Sequence, residues 1–404
     1  MFFIKIFYIV LAIVLLAQLL YPFVTTLAAQ VLGRERLKPV FDPLRSFDYA
    51  CIITAYKNAA IARPLVESLL QQTHQNHLIY LVADECPDLE WTLDDDRLMV
   101  LRPDPPLRLK VKSIIHATEH FKRPHDFIAI FDADNLAHPQ FLAIINQYAN
   151  AGYRCIQGQR TAKNLDTTYA ALDSMGEHYK NYLERRVPYL LGGSAVISGS
   201  GMATETALYE AYLRAPEIEQ GKIQGKKMLQ EDKILQNFLL KRNEKIAYAH
   251  SAIVYDEKVE SGDAVQTQRS RWLFSYFQNL PNSLGLLFRG WIHANWNQFY
   301  FGYVTVVLPM FIQVAMGGTL ALLGLFIAPV WAAALFAALT IFAATVLWSL
   351  KLDGAPPPVW AAVGSVPRFV FRQLLGLLKM GNPNKNFKHT EHKKFVKVED
   401  LLEK

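Results

Sequence analysis

Short apolar runs alternate with amphipathic stretches along the chain from residue 47 onward. Brief apolar runs bounded by polar residues are typical of buried strands, and apolar residues three or four positions apart are typical of helices. We therefore predict strands at 48–55, 77–83, 97–101 and 127–131. Helices are predicted between them, at 58–72 and 110–121. Strands that alternate with helices favour an α/β fold with a mostly parallel, doubly wound sheet.

Carboxylates directly follow two of these strands. Asp84 comes after the second strand, and the apolar run Phe127–Phe131 stops at Asp132-Ala133-Asp134. Open α/β sheets bind their ligands at the carboxyl ends of their strands. Two hard oxygen ligands suit Mg²⁺ or Mn²⁺, which share substrate phosphates when bound in this way. Taken alone, the sequence Asp-Ala-Asp also fits an acidic strand end before a turn, or a phosphatase of the haloacid dehalogenase type.

Two other parts of the chain are long and apolar enough to cross a membrane. Residues Phe2–Leu32 carry a single charge, and residues 290–350 carry none. An α-helix needs roughly 20 apolar residues to cross the hydrocarbon core. We predict one span in the first stretch and a hairpin of two spans in the second, near 299–323 and 327–350. A cleaved signal peptide is the alternative for the first stretch.

Basic residues around these stretches predict their orientation. Arg34, Arg36 and Lys38 follow the first span, so the positive-inside rule places the next domain in the cytosol. Residues 273–298 and 359–380 mix basic residues with aromatic residues and leucine, which is typical of amphipathic helices lying in the membrane interface.

The overall composition agrees with a membrane protein. Hydrophobic residues make up 51% of the 404 residues and charged residues 19%, and the apolar excess is concentrated in the two long stretches. The net charge of +6 suits a membrane surface or anionic phosphates. The sequence has no zinc finger, recognition helix or arginine-rich run, so we predict no nucleic-acid partner. The three cysteines are widely spaced and are expected to be ordinary core residues.

Three polar motifs follow in the second half of the α/β region. Ser198-Gly199-Ser200-Gly201-Met202 is a small-residue turn, which allows close approach of the backbone to a ligand. Glu231-Asp232 precedes an apolar-periodic helix at 234–240. In Gln268-Arg269-Ser270-Arg271-Trp272, residues 268, 271 and 272 fall on one helix face. Each motif also has a simpler explanation. The first can be a tight loop, the second can be acidic residues favoured by the dipole at a helix start, and the third can be an Arg/Trp patch beside a membrane.

Together and in this order, these features resemble one family of membrane enzymes. The chain resembles the membrane-integrated branch of the inverting glycosyltransferases of family 2, which includes cellulose, hyaluronan and poly-N-acetylglucosamine synthases. The resemblance covers residues 47–280 and the layout of the membrane segments. Its most specific element is Gln268-Arg269-Ser270-Arg271-Trp272, which matches the pattern Gln-(Gln/Arg)-x-Arg-Trp completely. Gln230 stands where processive synthases have Thr, so either processive or single transfer is compatible with the sequence.

The resemblance implies a GT-A fold and a nucleotide-sugar donor, most often a UDP-sugar. Tyr56 and Asp84 would contact the nucleoside, and Asp132 would lie on the ribose side. Asp134, together with Asp132, would ligate a divalent metal (Mg²⁺ or Mn²⁺) that bridges the two phosphates. Such a metal neutralises the charge that develops on the leaving diphosphate.

The same resemblance implies the roles of the later motifs. Asp232 would be the general base that takes the proton of the acceptor hydroxyl, with Glu231 beside it. Arg271 would clamp the diphosphate, with Gln268 also on the donor side. Attack on the face opposite the leaving group would invert the anomeric carbon. The acceptor side would be lined by Ser200, Gly201, Met202 and Trp272.

The carboxyl-terminal tail carries a further resemblance. Cellulose synthases close a loop of the form Phe-x-Val-Thr-x-Lys over the bound nucleotide. The segment Phe387-Lys388-His389-Thr390-Glu391-His392 is similar to it, with His392 in the place of Lys. Thr390 and His392 are therefore predicted to bind the donor. The alternative is a basic tail beside an anionic membrane.

We accordingly divide the chain into an anchor (1–46), a GT-A domain (47–272), an interfacial helix (273–298), a membrane hairpin (299–350) and an interfacial helix with a cytosolic gating-loop-like tail (351–404). The predicted function is sugar transfer to a polysaccharide or glycan in exopolysaccharide or capsule synthesis. It would take place at the bacterial inner membrane, alone or with export or assembly partners. The alternatives are glycosylation of a membrane lipid, as in ceramide glucosyltransferases, and a non-catalytic nucleotide-sugar-binding partner.

Overall fold

The computed structural model describes residues 2–35, 37, 44–87, 93–223, 230–377 and 394–402. The strands in these residues are β1 (Tyr49–Tyr56), β2 (His77–Asp84), β3 (Leu98–Leu101), β4 (Phe127–Asp132), β5 (Leu136–Ala137), β6 (Cys155–Ala162), β7 (Met202–Glu205) and β8 (Ile246–Asp256). The helices are α1 (Phe2–Leu32), α2 (Arg63–Leu70), α3 (Lys110–Glu119), α4 (Phe141–Asn150), α5 (Thr168–Lys180), α6 (Val187–Leu190), α7 (Thr206–Leu213), α8 (Pro216–Ile223), α9 (Glu231–Lys241), α10 (Gly262–Ile292), α11 (Trp296–Val306), α12 (Met310–Ile327), α13 (Pro329–Leu352), α14 (Pro357–Ala362), α15 (Val366–Leu377) and α16 (Glu399–Leu402).

The eight strands form one mixed sheet with the order β3-β2-β1-β4-β7-β6-β8-β5. Strands β3, β2, β1 and β4 run parallel to one another, and every residue of β2 is buried. This agrees with a parallel sheet covered by helices on both faces. The predicted α/β architecture is confirmed. The sheet becomes mixed because β7 lies antiparallel between β4 and β6.

A tight turn ends β4 at the predicted acidic motif. The backbone N–H of Asn135 donates to the carbonyl of Asp132 at 3.0 Å. The Asn135 side chain accepts from the Asp132 N–H at 3.1 Å. Leu136 then enters β5, which pairs with β8. The Asn135 backbone and side chain both close this turn, so Asp132 and Asp134 are held at the exit of a buried strand.

The small-residue turn before β7 also forms as predicted. Gly199 and Gly201 both have positive φ, at 85° and 62°, a conformation that costs glycine little. The Gly201 N–H donates to the Ile130 carbonyl at 2.9 Å. A Cβ at residue 201 would lie 3.1 Å from a methyl group of Val254. The turn therefore packs its backbone directly against β4 and β8.

Within the described residues, three helices, α1, α12 and α13, are long and apolar enough to span a membrane. Helix α1 packs against α12 and α13, and the Tyr8 hydroxyl donates to the Leu320 carbonyl at 3.0 Å. A Cβ at Gly324 would lie 2.0 Å from that hydroxyl oxygen. The close approach therefore needs a residue without a side chain, as is common between membrane helices.

The apolar pattern predicted that the first helix of the hairpin begins near residue 299, but this helix begins later. Helix α11 ends at Val306, and α12 begins at Met310. Pro309 has no N–H to donate and disfavours helical geometry in the residue before it, so the chain breaks there. The predicted boundary between residues 272 and 273 likewise lies inside one helix, because α10 runs from Gly262 to Ile292.

Two polar contacts join the membrane helices to the sheet domain. Asp353, at the end of α13, accepts from His178 of α5 at 2.7 Å, and both side chains are buried. Gln30 of α1 donates to the Tyr182 hydroxyl at 2.9 Å. Tyr182 belongs to a π-helical turn, Asn181–Arg186, that continues α5. Helix α5 therefore lies between the sheet and the membrane helices.

Candidate active site

Four segments meet around the ammonium group of Lys110, at the carboxyl end of β4. Lys110 begins α3, and its Nζ atom lies 2.6 Å from Asp132 Oδ1. The same atom donates to the Gly199 carbonyl at 3.0 Å and lies 3.7 Å from Glu231 Oε1. One partly buried cation thus connects the acidic motif of β4, the glycine turn and the acidic pair at the start of α9.

The charges of this cluster reinforce one another. Burial alone would lower the pKa of Lys110, but the Asp132 and Glu231 carboxylates outweigh it and raise that pKa above its usual range. Burial would raise the pKa of Asp132, but Lys110 holds it below the usual range. Burial raises the pKa of Glu231, although Lys110 opposes the shift. At neutral pH, Lys110 is therefore a cation and Asp132 a carboxylate.

Asp232 lies beside this cluster and is partly open to solvent. Its side chain is 24% exposed, and Lys233 Nζ lies 3.6 Å from Asp232 Oδ2. A Cβ at Gly199 would lie 3.6 Å from the Asp232 Cβ, so the glycine turn packs directly under the carboxylate. A small depression at this place is lined by Lys110, Ile114, Ile130, Gly199, Met202, Tyr209, Glu231, Asp232 and Leu235. The glycine turn and the acidic pair therefore line the same depression.

Asp134 is held from two sides. Its carboxylate accepts from the Glu257 N–H at 3.3 Å, and its carbonyl accepts from Lys163 Nζ at 2.8 Å. Lys163 Nζ also lies 3.3 Å from Glu257 Oε2. In the part of the chain that the structure describes, no group of three or more His, Cys, Asp or Glu residues is arranged to hold a metal ion. A divalent cation at Asp132 and Asp134 would therefore complete its shell with substrate oxygens and water.

The predicted nucleoside-binding residues lie at the ends of β1 and β2. The Tyr56 hydroxyl donates to Glu85 at 2.9 Å. Asp84 is 2% exposed, and its two oxygens accept from the N–H groups of Leu107 and Arg108 at 2.8 and 2.6 Å. Asp84 therefore fixes the loop that leads into α3 and Lys110. Nucleoside contacts of Tyr56 and Asp84 stay a prediction.

The Gln-Arg-Ser-Arg-Trp motif lies on α10 and contacts α5. Arg269 donates to Asp173 at 2.6 Å. Two cations approach the Trp272 ring, with Lys180 Nζ 4.3 Å and Arg269 Cζ 4.4 Å from its centroid. Burial lowers the pKa of Lys180 to about 8, although Glu184 opposes the shift. Trp272 thus already makes cation–π contacts. The roles of Gln268, Arg271 and Trp272 towards donor and acceptor stay predictions.

The remaining predicted site residues differ in their distance from the cluster around Lys110. Met202 is the first residue of β7 and lines the depression beside Asp232. The carbonyls of Ser200 and Gly201 both accept from Gln157 at 3.1 Å and so hold the turn, and the Ser200 side chain lies beside Asp132. Thr390 and His392 lie outside the described residues.

The sequence assigned no role to Lys110 or Lys163. Lys110 carried one usable signal, because a lysine in the first turn of a helix opposes the helix dipole unless an acidic partner compensates. Its partners, Asp132 and Glu231, come from other segments of the chain. Lys163 follows β6 without any recognisable pattern, and its position beside Asp134 depends on the pairing of β6 with β8.

Comparison with protein families supplies an independent result. The sequence model of the family described as "Glycosyltransferase like family 2" matches residues 47–275, more than half of the chain. These residues contain the acidic motifs and the first part of α10. The comparison with curated protein sequences gave no match.

Comparison of the fold gives the same architecture. A solved mannosyltransferase, PcManGT from Pyrobaculum calidifontis in complex with GDP-Man and Mn²⁺, superposes with a TM-score of 0.52 at 15% identity. The match covers 91% of this chain and 97% of that one. TarS from S. aureus gives a TM-score of 0.38 at 13% identity, over 87% of this chain and 57% of its own. The predicted GT-A fold is confirmed.

Proposed function

The chain belongs to glycosyltransferase family 2, and we propose that it is a membrane-bound, metal-dependent, inverting enzyme that transfers a hexose from a UDP-sugar to a glycan acceptor. The observation that supports this proposal best is the convergence at Lys110. The glycine turn packs under the partly exposed Asp232, while Lys110 ties the neighbouring Glu231 to Asp132. An acceptor and a donor meeting there would find a base and a diphosphate site side by side.

In this proposal Asp232 removes the proton of the acceptor hydroxyl. Its carboxylate is exposed enough to reach a bound hydroxyl, and it lies in the first turn of α9. The oxygen then attacks the anomeric carbon on the face opposite the diphosphate, which inverts that carbon. Lys110 contacts both Glu231 of α9 and Asp132 of β4, and these contacts would fix the position of Asp232 relative to the end of β4. General-base catalysis typically contributes about a hundredfold or more.

The donor site is assigned to the end of β4. Asp132 and Asp134 supply hard oxygen ligands of the kind that Mg²⁺ and Mn²⁺ prefer. A divalent cation bound there would neutralise the charge on the leaving diphosphate. The solved mannosyltransferase with the same fold was captured with GDP-Man and Mn²⁺, which supports metal dependence and makes GDP-sugars the alternative to UDP-sugars. Gln268 and Arg271 would bind the diphosphate from α10.

A membrane lipid is the second candidate acceptor. The three candidate spans that the structure describes pack directly on one another through side chains such as Tyr8 and Leu335. Three packed helices leave little room for a polysaccharide to pass between them, whereas a lipid acceptor needs no passage. In exopolysaccharide or capsule synthesis, the chain would therefore work with partners that export the product.

The proposed location is the bacterial inner membrane with the GT-A domain in the cytosol, because basic residues follow α1. A reporter fused after Lys404 should be cytosolic, and one inserted at Ala328, between the two hairpin helices, should be external. Finding both reporters on one side of the membrane would contradict this arrangement.

The direct test uses membranes that contain the protein and a panel of labelled UDP- and GDP-sugars, with and without Mn²⁺. We expect transfer from one UDP-sugar that requires the metal. Sizing the product and extracting it with organic solvent separate a long glycan, a short glycan and a glycolipid. Membranes with the Asp232→Asn variant provide the background. Wild-type transfer no greater than that background with every donor would contradict the proposal.

A further inference from the structure

The carboxyl-terminal segment 394–402 returns to the catalytic domain and binds beside Asp134. The Lys394 N–H donates to Glu257 Oε2 at 3.1 Å. The Lys394 carbonyl accepts from Lys163 Nζ at 3.0 Å. Both backbone polar groups of one tail residue are therefore held by the two side chains that flank the predicted metal ligand.

Lys163 is the link between the tail and the acidic motif. Its side chain is 3% exposed, and an ammonium group has three hydrogens to donate. The three acceptors around it are the Asp134 carbonyl at 2.8 Å, the Lys394 carbonyl at 3.0 Å and the Glu257 carboxylate at 3.3 Å. The tail thus supplies one acceptor of a buried cation whose other acceptors fix the backbone and the neighbour of Asp134.

The rest of the segment is fastened at further points. Lys394 Nζ pairs with Asp166 at 2.7 Å and with Glu260 at 3.0 Å, near the surface. Val398 is 3% exposed. Glu399 accepts from Gln71 at 2.8 Å. The segment therefore runs from the end of β8 to α2.

We propose that residues 394–402 act as a latch that positions Asp134 for the donor diphosphate, with Lys163 as the positioning residue. Without the latch, Lys163 loses one of its three acceptors, which is unfavourable for a charged group. Water or another acceptor would then compete with the Asp134 carbonyl, and the turn after β4 would loosen. Because the base Asp232 lies on a separate element, the latch should affect donor binding more than the chemical step.

The inference rests on the proposed function, so its test has one readout that depends on the donor and one that does not. The variants are a full-length protein with Lys163→Met, which keeps the length of the side chain but not its donors, and a chain that ends at residue 393. Lys394→Ala is the matched control, since it removes the exposed ion pairs and keeps both backbone hydrogen bonds.

The first readout is hydrogen exchange of the amides at 132–137 in the ligand-free protein. The second is calorimetric binding of UDP and GDP in the presence of Mn²⁺. Both variants should exchange faster in this stretch and bind the metal–nucleotide pair about tenfold or more weakly. In transfer assays the KM for the donor should rise while kcat stays within about twofold, a split that general unfolding would not give. Lys394→Ala should resemble wild type in each measurement.

The outcomes separate the two proposals. Unchanged exchange at 132–137 in both variants would overturn the latch, whatever the binding data show. Faster exchange with unchanged nucleotide binding would also overturn its role towards the donor. If wild type binds neither nucleotide while exchange still responds to the variants, the latch stands as a support of Asp134 and the assignment of the donor fails. If the shortened chain does not fold, Lys163→Met alone decides.

Discussion

The parallel strands carry a charged cluster at each end, and the two clusters differ in how completely their polar groups are paired. At the amino end, the His125 side chain is fully buried and contacts Tyr80 on one nitrogen and Asp48 on the other. The second oxygen of Asp48 pairs with Arg123 at 2.8 Å. Asp126 is likewise engaged on both oxygens, by Arg45 and by the Asp48 N–H.

The cluster at the carboxyl end of the strands has as many charges, but its carboxylates are paired less completely. Asp132 pairs with Lys110 through Oδ1, yet its side chain remains 36% exposed. Asp232 has a lysine only at 3.6 Å and is 24% exposed. The density of charge is therefore similar at both ends, and Asp126 at the amino end is also 32% exposed. What distinguishes the candidate active site is Asp232, whose paired lysine lies 3.6 Å away rather than at hydrogen-bond distance. A saturated cluster stabilises the fold, whereas an open one can bind and react.

The strongest test of this comparison makes the same chemical change at both ends. Asp232→Asn should lower turnover by about a hundredfold or more, because an amide cannot take the acceptor proton. Binding of UDP with Mn²⁺ should change little. Measured kcat together with calorimetric binding checks both statements. Near-native turnover of Asp232→Asn would remove Asp232 as the base.

Asp48→Asn is the matched change at the amino end. It should keep kcat within about twofold and lower the free energy of unfolding by about 1–3 kcal/mol, since it weakens charge-assisted hydrogen bonds to Arg123 and His125. Denaturant titration in detergent measures the loss. A large loss of turnover in a folded Asp48→Asn protein would contradict the division between the two ends.

Metal binding should depend on the carboxyl end of the strands and not on the amino end. Asp134→Ala removes a hard oxygen ligand that no neighbouring side chain replaces, so metal-dependent binding of UDP should be lost. Asp126→Ala at the amino end is the control and should leave that binding intact. Calorimetric titration of UDP with and without Mn²⁺ is the measurement. Equal metal dependence in wild type and Asp134→Ala would exclude Asp134 as a ligand.

Lys110 gives a smaller effect of opposite sign. Its ammonium group lies 2.6 Å from Asp132 Oδ1, an oxygen that a metal ion held by Asp132 could also use. Lys110→Met should therefore strengthen Mn²⁺ binding in the absence of nucleotide by about tenfold, because the competing cation is gone. Lys112→Met on the same helix is the control. Unchanged or weaker Mn²⁺ binding would show that Lys110 does not compete with the metal.

The sequence predicted the first half of the fold closely because its signals are local. The strand Phe127–Asp132 is an apolar run that ends at a carboxylate, and β2 and α3 lie within one or two residues of their predicted bounds. The antiparallel position of β7 and the break before Met310 were not predicted. Strand order depends on contacts between distant segments. The break is marked by Pro309, which a prediction from apolar periodicity alone does not take into account.

The residues of the candidate site likewise differ in whether a local sequence signal marks them. The acidic residues were found because short motifs mark them, whereas Lys110 and Lys163 owe their positions to the folded sheet. Lys163 meets Lys394 across 231 positions of the chain, a separation that no local pattern encodes. The sequence therefore identified the groups that carry chemistry better than the groups that position them.

The smallest expected effect concerns the pH dependence of stability at the amino end. Burial lowers the pKa of His125, although Asp48 opposes the shift and Arg123 adds to it. The hydrogen bonds agree with a neutral ring, because Nδ1–H donates to Asp48 while Nε2 accepts from the Tyr80 hydroxyl, which itself accepts from the Lys122 N–H.

A His with a lowered folded-state pKa binds fewer protons in the folded protein than in the unfolded one. Its contribution to stability is therefore complete above the unfolded pKa of about 6.5 and declines as the pH falls below it. His125→Gln offers a donor towards Asp48 and an acceptor towards Tyr80 without titrating. We expect the apparent Tm in detergent to fall between pH 7.5 and pH 5.5, and to fall less in His125→Gln than in wild type. An equal decrease of Tm with pH in the two proteins would mean that another group causes the pH dependence. The cluster at the amino end of the strands would then be insensitive to pH in this range.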